Sequence, residues 1–108
     1  MITLYTAVGR YELRKNENGE KQPIVTVDQK EMALSREELL LWFCLMWEIL
    51  TKEEAKTYFL KKAVRMDVSQ ERFDAVLQRL EVRQLVVSAQ AEKGDIALYR
   101  LLAKLYVI

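Results

Sequence analysis

Of the side chains that ordinarily carry chemistry, this 108-residue chain has one cysteine, Cys44, and no histidine. General acid–base catalysis draws most often on His, and covalent catalysis needs an activated nucleophile. Cys44 stands among Trp42, Phe43, Leu45 and Met46, where burial raises a thiol's pKa and leaves it inert. With no second Cys and no His, neither a disulfide framework nor a zinc cluster of the usual ligands can form within one chain. The sequence has no G-x-x-x-x-G-K-[ST] or G-x-G-x-x-G phosphate loop. Its adjacent carboxylates, Glu37-Glu38 and Glu53-Glu54, fall where helices start. The residues point away from an enzyme and from any metal or cofactor.

What remains is charge. Seventeen Lys and Arg against 16 Asp and Glu leave a net +1, so a nucleic-acid partner has to be argued from local placement. Thr51 to Met66 holds five cations and two acids. Residues 67 to 84 hold three basic and four acidic side chains, but Arg72, Arg79 and Arg83 share a flank at i, i+7, i+11. None has an acid three or four residues away, so local pairing does not account for them. They are left to meet phosphates, another chain, the N-terminal hairpin of their own chain, or solvent alone.

The elements that position these charges follow from periodicity. A chain of this length is expected to form a single domain. Residues 1–34 look like strands, with Asn18-Gly19 in "YELRKNENGEKQPIVTV" suited to a two-residue hairpin turn. That turn sets Leu13 opposite Ile24 and Tyr11 opposite Thr26, and puts Glu17 against Glu20. Ser35-x-x-Glu38 and Thr51-x-x-Glu54 are capping boxes that start two helices around a tight corner. A third helix, 70–83 with Ser69 as its cap, carries Phe73, Val76, Leu77 and Leu80 as an apolar stripe. "LVVSAQ", "AEKGD" and "IALYRLL" then read as strand, turn and strand, a second hairpin.

"LLLWFCLMWEIL", residues 39–50, is the most apolar stretch. Glu37, Glu38 and Glu48 bracket only nine uncharged residues, too few for a span that needs about 20. "MITLYTAVGR" lacks the basic and apolar regions of a signal peptide. A cytoplasmic protein without a membrane anchor is expected. On a helical wheel Leu39, Phe43, Met46 and Leu50 form the core stripe, widened by Trp42, Trp47 and Ile49. Leu41, Cys44 and Leu45 fall on the side of Glu37 and Glu48. Something must cover these apolar residues, either the N-terminal hairpin or the same helix of a second chain.

"TKEEAKTYFLKKAVRMDVSQERFDAVLQRLEVRQLVV", Thr51 to Val87, followed by "SAQAEKGDIALYRLL", resembles the winged helix-turn-helix superfamily across roughly residues 35 to 102. The resemblance implies an α+β fold: a three-helix core at 35–102 with a C-terminal β-hairpin wing, an extra N-terminal β-hairpin at 1–34 and a short extension at 103–108. It also implies a transcriptional regulator that presents its third helix, about 69–83, to the major groove of double-stranded DNA. Ser69, Gln70, Arg72, Gln78 and Arg79 would then lie near the groove, with Lys52, Lys56, Arg83 and Lys93 toward the backbone. A homodimer fits regulators that read paired half-sites. The alternative is a winged-helix module that docks a protein and binds no DNA, as acidic Glu71 on the presented face would favour.

Overall fold

The computed structural model describes residues 1–65 and 73–105. It is an α+β fold of four helices and two small antiparallel sheets. In order these are β1 (Ile2–Ala7), β2 (Arg10–Lys15), β3 (Lys21–Val27), β4 (Lys30–Ala33), α1 (Arg36–Trp47), β5 (Leu50–Thr51), α2 (Lys52–Arg65), α3 (Phe73–Val82), β6 (Val86–Ala91) and α4 (Gly94–Leu105). One sheet is ordered β5-β1-β6 and the other β2-β3-β4. The residues at 66–72, including Ser69, Gln70, Glu71 and Arg72, lie outside the described set, as do 106–108.

The N-terminal region departs from a single appended hairpin. β1 is the central strand of the first sheet, pairing β5 through Leu4 and Thr51 and β6 from Ile2–Ala91 to Ala7–Val86. The boundary at residue 34 therefore does not separate structural units. Gly9, at φ +114°, turns the chain from this sheet into the next; a Cβ there would come within 2.6 Å of Val25 and 2.8 Å of Val27. Only glycine fits that link.

The hairpin between β2 and β3 forms, but one residue out of the expected register: Leu13 opposes Pro23 and Tyr11 opposes Val25. The turn has three residues. Gly19 donates to the Asn16 carbonyl, the Asn16 amide donates to the Glu20 carbonyl, and Gly19 takes φ +78°, a type I turn closed by a glycine bulge. The Asn16 side chain also accepts from the amides of Asn18 and Glu20. The β3–β4 turn carries no glycine as a signal: Asp28 (φ 50°) and Gln29 (φ 67°) take positive φ instead.

Both capping boxes are present: Ser35 exchanges hydrogen bonds with Glu38, and Thr51 with Glu54. The rotation of α1 differs from the wheel. Leu41 and Leu45 are inaccessible and Cys44 is buried, whereas Met46 is partly exposed and Trp47 is 75% exposed. The physical reason is that α1 packs against α2 and α3 and also against β1. The Trp42 indole donates to the Val8 carbonyl and the Thr6 hydroxyl donates to the Leu45 carbonyl. Tyr11 on β2 meets Phe43 edge-on, with ring centroids 4.9 Å apart. Leu41, Cys44 and Leu45 are thus covered within one chain, and no second copy is needed to shield them.

The largest correction concerns the wing. Ile96 to Leu102 lies inside α4, not in a returning strand. Ala97 and Leu101 are its buried residues, one helical turn apart, and α4 packs on β6 and β1. The antiparallel neighbour that a returning strand would give β6 is supplied by β1. On β6's other edge Arg100 donates to the Gln90 carbonyl (2.9 Å) and Lys104 to the Ser88 carbonyl, so α4 side chains satisfy acceptors that an added strand would use. α4 also runs through the expected boundary at 102–103.

Candidate nucleic-acid interface

The helix pair α2–α3 is where the segregated charges gather. The Thr51 box starts α2 directly from β5, and burial of Ala55, Phe59 and Ala63 fixes its rotation. Lys52, Lys56, Lys61, Lys62 and Arg65 are all exposed as a result. The acids Glu53 and Glu54 are confined to the first turn, where they suit the positive end of the helix dipole. From Lys56 to Arg65 the helix carries four cations and no acid.

Phe73, Val76, Leu77 and Leu80 are buried in α3, as their spacing requires, and Phe59 meets Phe73 with centroids 5.6 Å apart. That packing turns Asp74, Gln78, Arg79, Glu81 and Val82 outward. The described outer face is therefore mixed, with one cation and two acids. Burial pushes the Glu81 carboxyl up, partly offset by Lys52; Tyr5 is likewise raised by burial and then by Glu81.

The expected contact residues have different fates. Lys52 pairs with Asp74 at 2.9 Å, both side chains well exposed. Hydrogen bonding to Lys52 and its charge hold the Asp74 carboxyl below the usual range, and Asp74 raises Lys52 in turn. Lys56, Gln78 and Arg79 stay exposed within the same helix pair. Lys93 is exposed beyond β6, between Glu92 and Asp95, in a segment that leads into α4 and not into a wing strand.

Arg83 is committed inward. One guanidinium nitrogen donates to Glu38 Oε2 at 2.7 Å and the other to the Ala33 carbonyl at 2.7 Å, joining the end of α3 to the start of α1 and the end of β4. Of the expected partners the N-terminal strands supply one acceptor, the Ala33 carbonyl, while the charged partner, Glu38, lies on α1. Gln84, at φ 60°, makes the geometry possible: Leu85 donates to the Leu80 carbonyl and Gln84 to the Glu81 carbonyl, a Schellman end that aims Arg83 across the fold. Burial opposes ionisation of Glu38, but hydrogen bonds from Ser35 and the Arg83 charge outweigh it and hold the carboxyl below its ordinary range.

Sequence reasoning missed Asp74 and Glu38 as partners, because both pairs join residues far apart in sequence. Lys61, Lys62 and Arg65, which the sequence reads as ordinary surface cations, are exposed on α2 after the last acid, Glu54. Among the described residues no group of three acidic or cysteine side chains gathers as a metal site would need. None of the described helices is long and apolar enough to cross a membrane. No protein-family model, no curated protein and no solved structure matches the chain.

Proposed function

We propose that this chain is a cytoplasmic DNA-binding protein of the helix-turn-helix type, a transcriptional regulator that grips duplex DNA mainly through α2. The observation that carries this reading is the run of exposed Lys56, Lys61, Lys62 and Arg65 with no acid among them. In a helix-turn-helix the first helix of the pair crosses the phosphate backbone while the second enters the groove. In this arrangement α2 supplies phosphate contacts, and Gln78 and Arg79 on α3 face base edges. Lys52 joins them when a phosphate displaces exposed Asp74, an exchange that costs little because surface ion pairs are weak. With β1 and α4 where a wing would stand, the helices carry the affinity, and a dimer reading two half-sites compensates for the lost wing contacts.

The test is fluorescence anisotropy of a mixed-sequence duplex titrated with the full chain at rising salt. Four or five phosphate contacts give a slope of log K against log salt of roughly −4. Absence of binding at low salt would overturn the proposal. A second reading, a protein-docking module, is favoured by the exposed apolar face of α4, with Leu98 38%, Tyr99 75% and Leu102 43% exposed. It expects Leu98→Glu/Leu102→Glu to abolish partner capture and leave duplex affinity unchanged.

A further inference from the structure

Between the C-terminal end of α1 and the outer face of α2 lies a cavity of about 100 Å³ lined by Cys44, Trp47, Glu48, Leu50, Tyr58 and Lys62. Its floor and walls differ in kind. Leu50 is 4% exposed and Cys44 6%, whereas Trp47 and Tyr58 are 75% and 43% exposed. Two large aromatic side chains thus stand in water beside an apolar floor, where a ligand's hydrocarbon would remove them from solvent. The volume has room for about three waters at 30 Å³ each, comparable to a branched hydrocarbon group of four carbons.

The rim carries one charge of each sign. Glu48 caps the C-terminal end of α1, whose last turn has no basic residue, so it adds to the negative end of the helix dipole. Lys62 faces the floor closely enough for its charge to act on the Cys44 thiol. Glu48 and Lys62 line the same cavity, yet they form no ion pair with each other or with any other described residue. A ligand that carries both charges offers each of them the partner it lacks.

We propose that this cavity is a binding site for a free apolar α-amino acid. The carboxylate meets Lys62, the ammonium meets Glu48 and the α1 C-terminus, and a branched aliphatic side chain fills the floor between Trp47 and Tyr58. Lys62 belongs both to this cavity and to the basic run of α2, but occupancy is measured without DNA, so the two readings fail separately.

Trp47 is exposed and Trp42 fully buried, so tryptophan emission of the full chain reports the site, with calorimetry as an independent readout. The probes are L-leucine, 4-methylpentanoate (no ammonium), 3-methylbutylamine (no carboxylate) and glycine (no hydrocarbon). Leucine is expected to bind saturably with a blue shift of the Trp47 emission. Each half-ligand should bind about tenfold or more weakly, as for loss of one charged hydrogen bond. Lys62→Gln and Glu48→Gln change exposed residues and leave the core intact. Lys62→Gln should weaken leucine and spare 3-methylbutylamine, and Glu48→Gln should weaken leucine and spare 4-methylpentanoate. No saturable leucine binding at tens of millimolar, equal affinity for glycine, or unchanged leucine affinity in both variants would overturn the proposal.

Discussion

Two ion pairs in this molecule share chemistry and differ in surroundings. Arg83–Glu38 closes at 2.7 Å with side chains 30% and 8% exposed, and Lys52–Asp74 at 2.9 Å with side chains 49% and 70% exposed. The first also binds the Ala33 carbonyl and sits where α1, α3 and β4 converge; the second spans the start of α2 and α3 in water. Distance does not separate them; solvent does. A charge withdrawn from water depends on its partner, so Arg83 is spent on the fold. A charge left in water exchanges partners at little cost, so Lys52 remains available to a phosphate.

The sharpest way to break this contrast is to remove each cation. Arg83→Ala strands the Glu38 carboxylate and the Ala33 carbonyl; with the pair partly reached by water, the expected loss is about 2 kcal/mol, below the usual cost of breaking a fully buried pair. Urea unfolding measures it as a lower midpoint at unchanged slope. Lys52→Ala should leave that midpoint within error. If both substitutions shift it equally, the contrast fails.

Acid provides the second test. The folded pKa of Glu38 is depressed, so its contribution is complete above the ordinary carboxylate value, about 4.3. It is lost as pH falls through the lower folded value. Wild-type stability should therefore hold from pH 7 to about 5 as far as this carboxylate is concerned, and fall below about 4. In Arg83→Ala the acid-dependent loss should be smaller, because part of the depression is already gone. An unchanged acid dependence in Arg83→Ala would count against a structural role for the Arg83–Glu38 pair.

DNA gives the third and smaller effect, with the order of the residues reversed. Lys52→Ala and Lys56→Ala should each reduce the salt slope of duplex binding by about one unit. Arg83→Ala, compared under conditions where it is folded, should leave the slope alone. Smallest of all, Lys93→Ala should change neither stability nor binding, since Glu92 and Asp95 already offset its charge.

Much of this architecture is written locally in the sequence. Ser35 and Thr51, each with a Glu three residues on, start the two helices they announce, and the Phe73, Val76, Leu77, Leu80 stripe is buried as its spacing requires. Both signals involve residues within one or two helical turns. α1 was misread in rotation because it is apolar nearly all round, so periodicity cannot say which side faces helices and which faces β1. α4 was misread because "IALYRLL" is a short apolar run in which helix and strand patterns coincide; the signal that separates them, Ala97 and Leu101 one turn apart, is only two residues deep. Arg83 and Lys52 stand alike in sequence as candidates for backbone phosphates. Their difference arises from Glu38 and Asp74, brought to them by tertiary packing.

The claim that α2 is the phosphate-contacting helix is tested most directly by one comparison of salt slopes. The wild-type chain and Lys56→Gln/Lys61→Gln/Arg65→Gln would each be titrated against the same duplex across a salt series. The triple variant retains the buried face of α2, so its fold and urea midpoint should match the wild type. The account expects the slope of log K against log salt to fall by roughly three units, with affinity nearly lost at moderate salt. An unchanged slope, or a wild-type chain that does not bind the duplex at low salt, would contradict it.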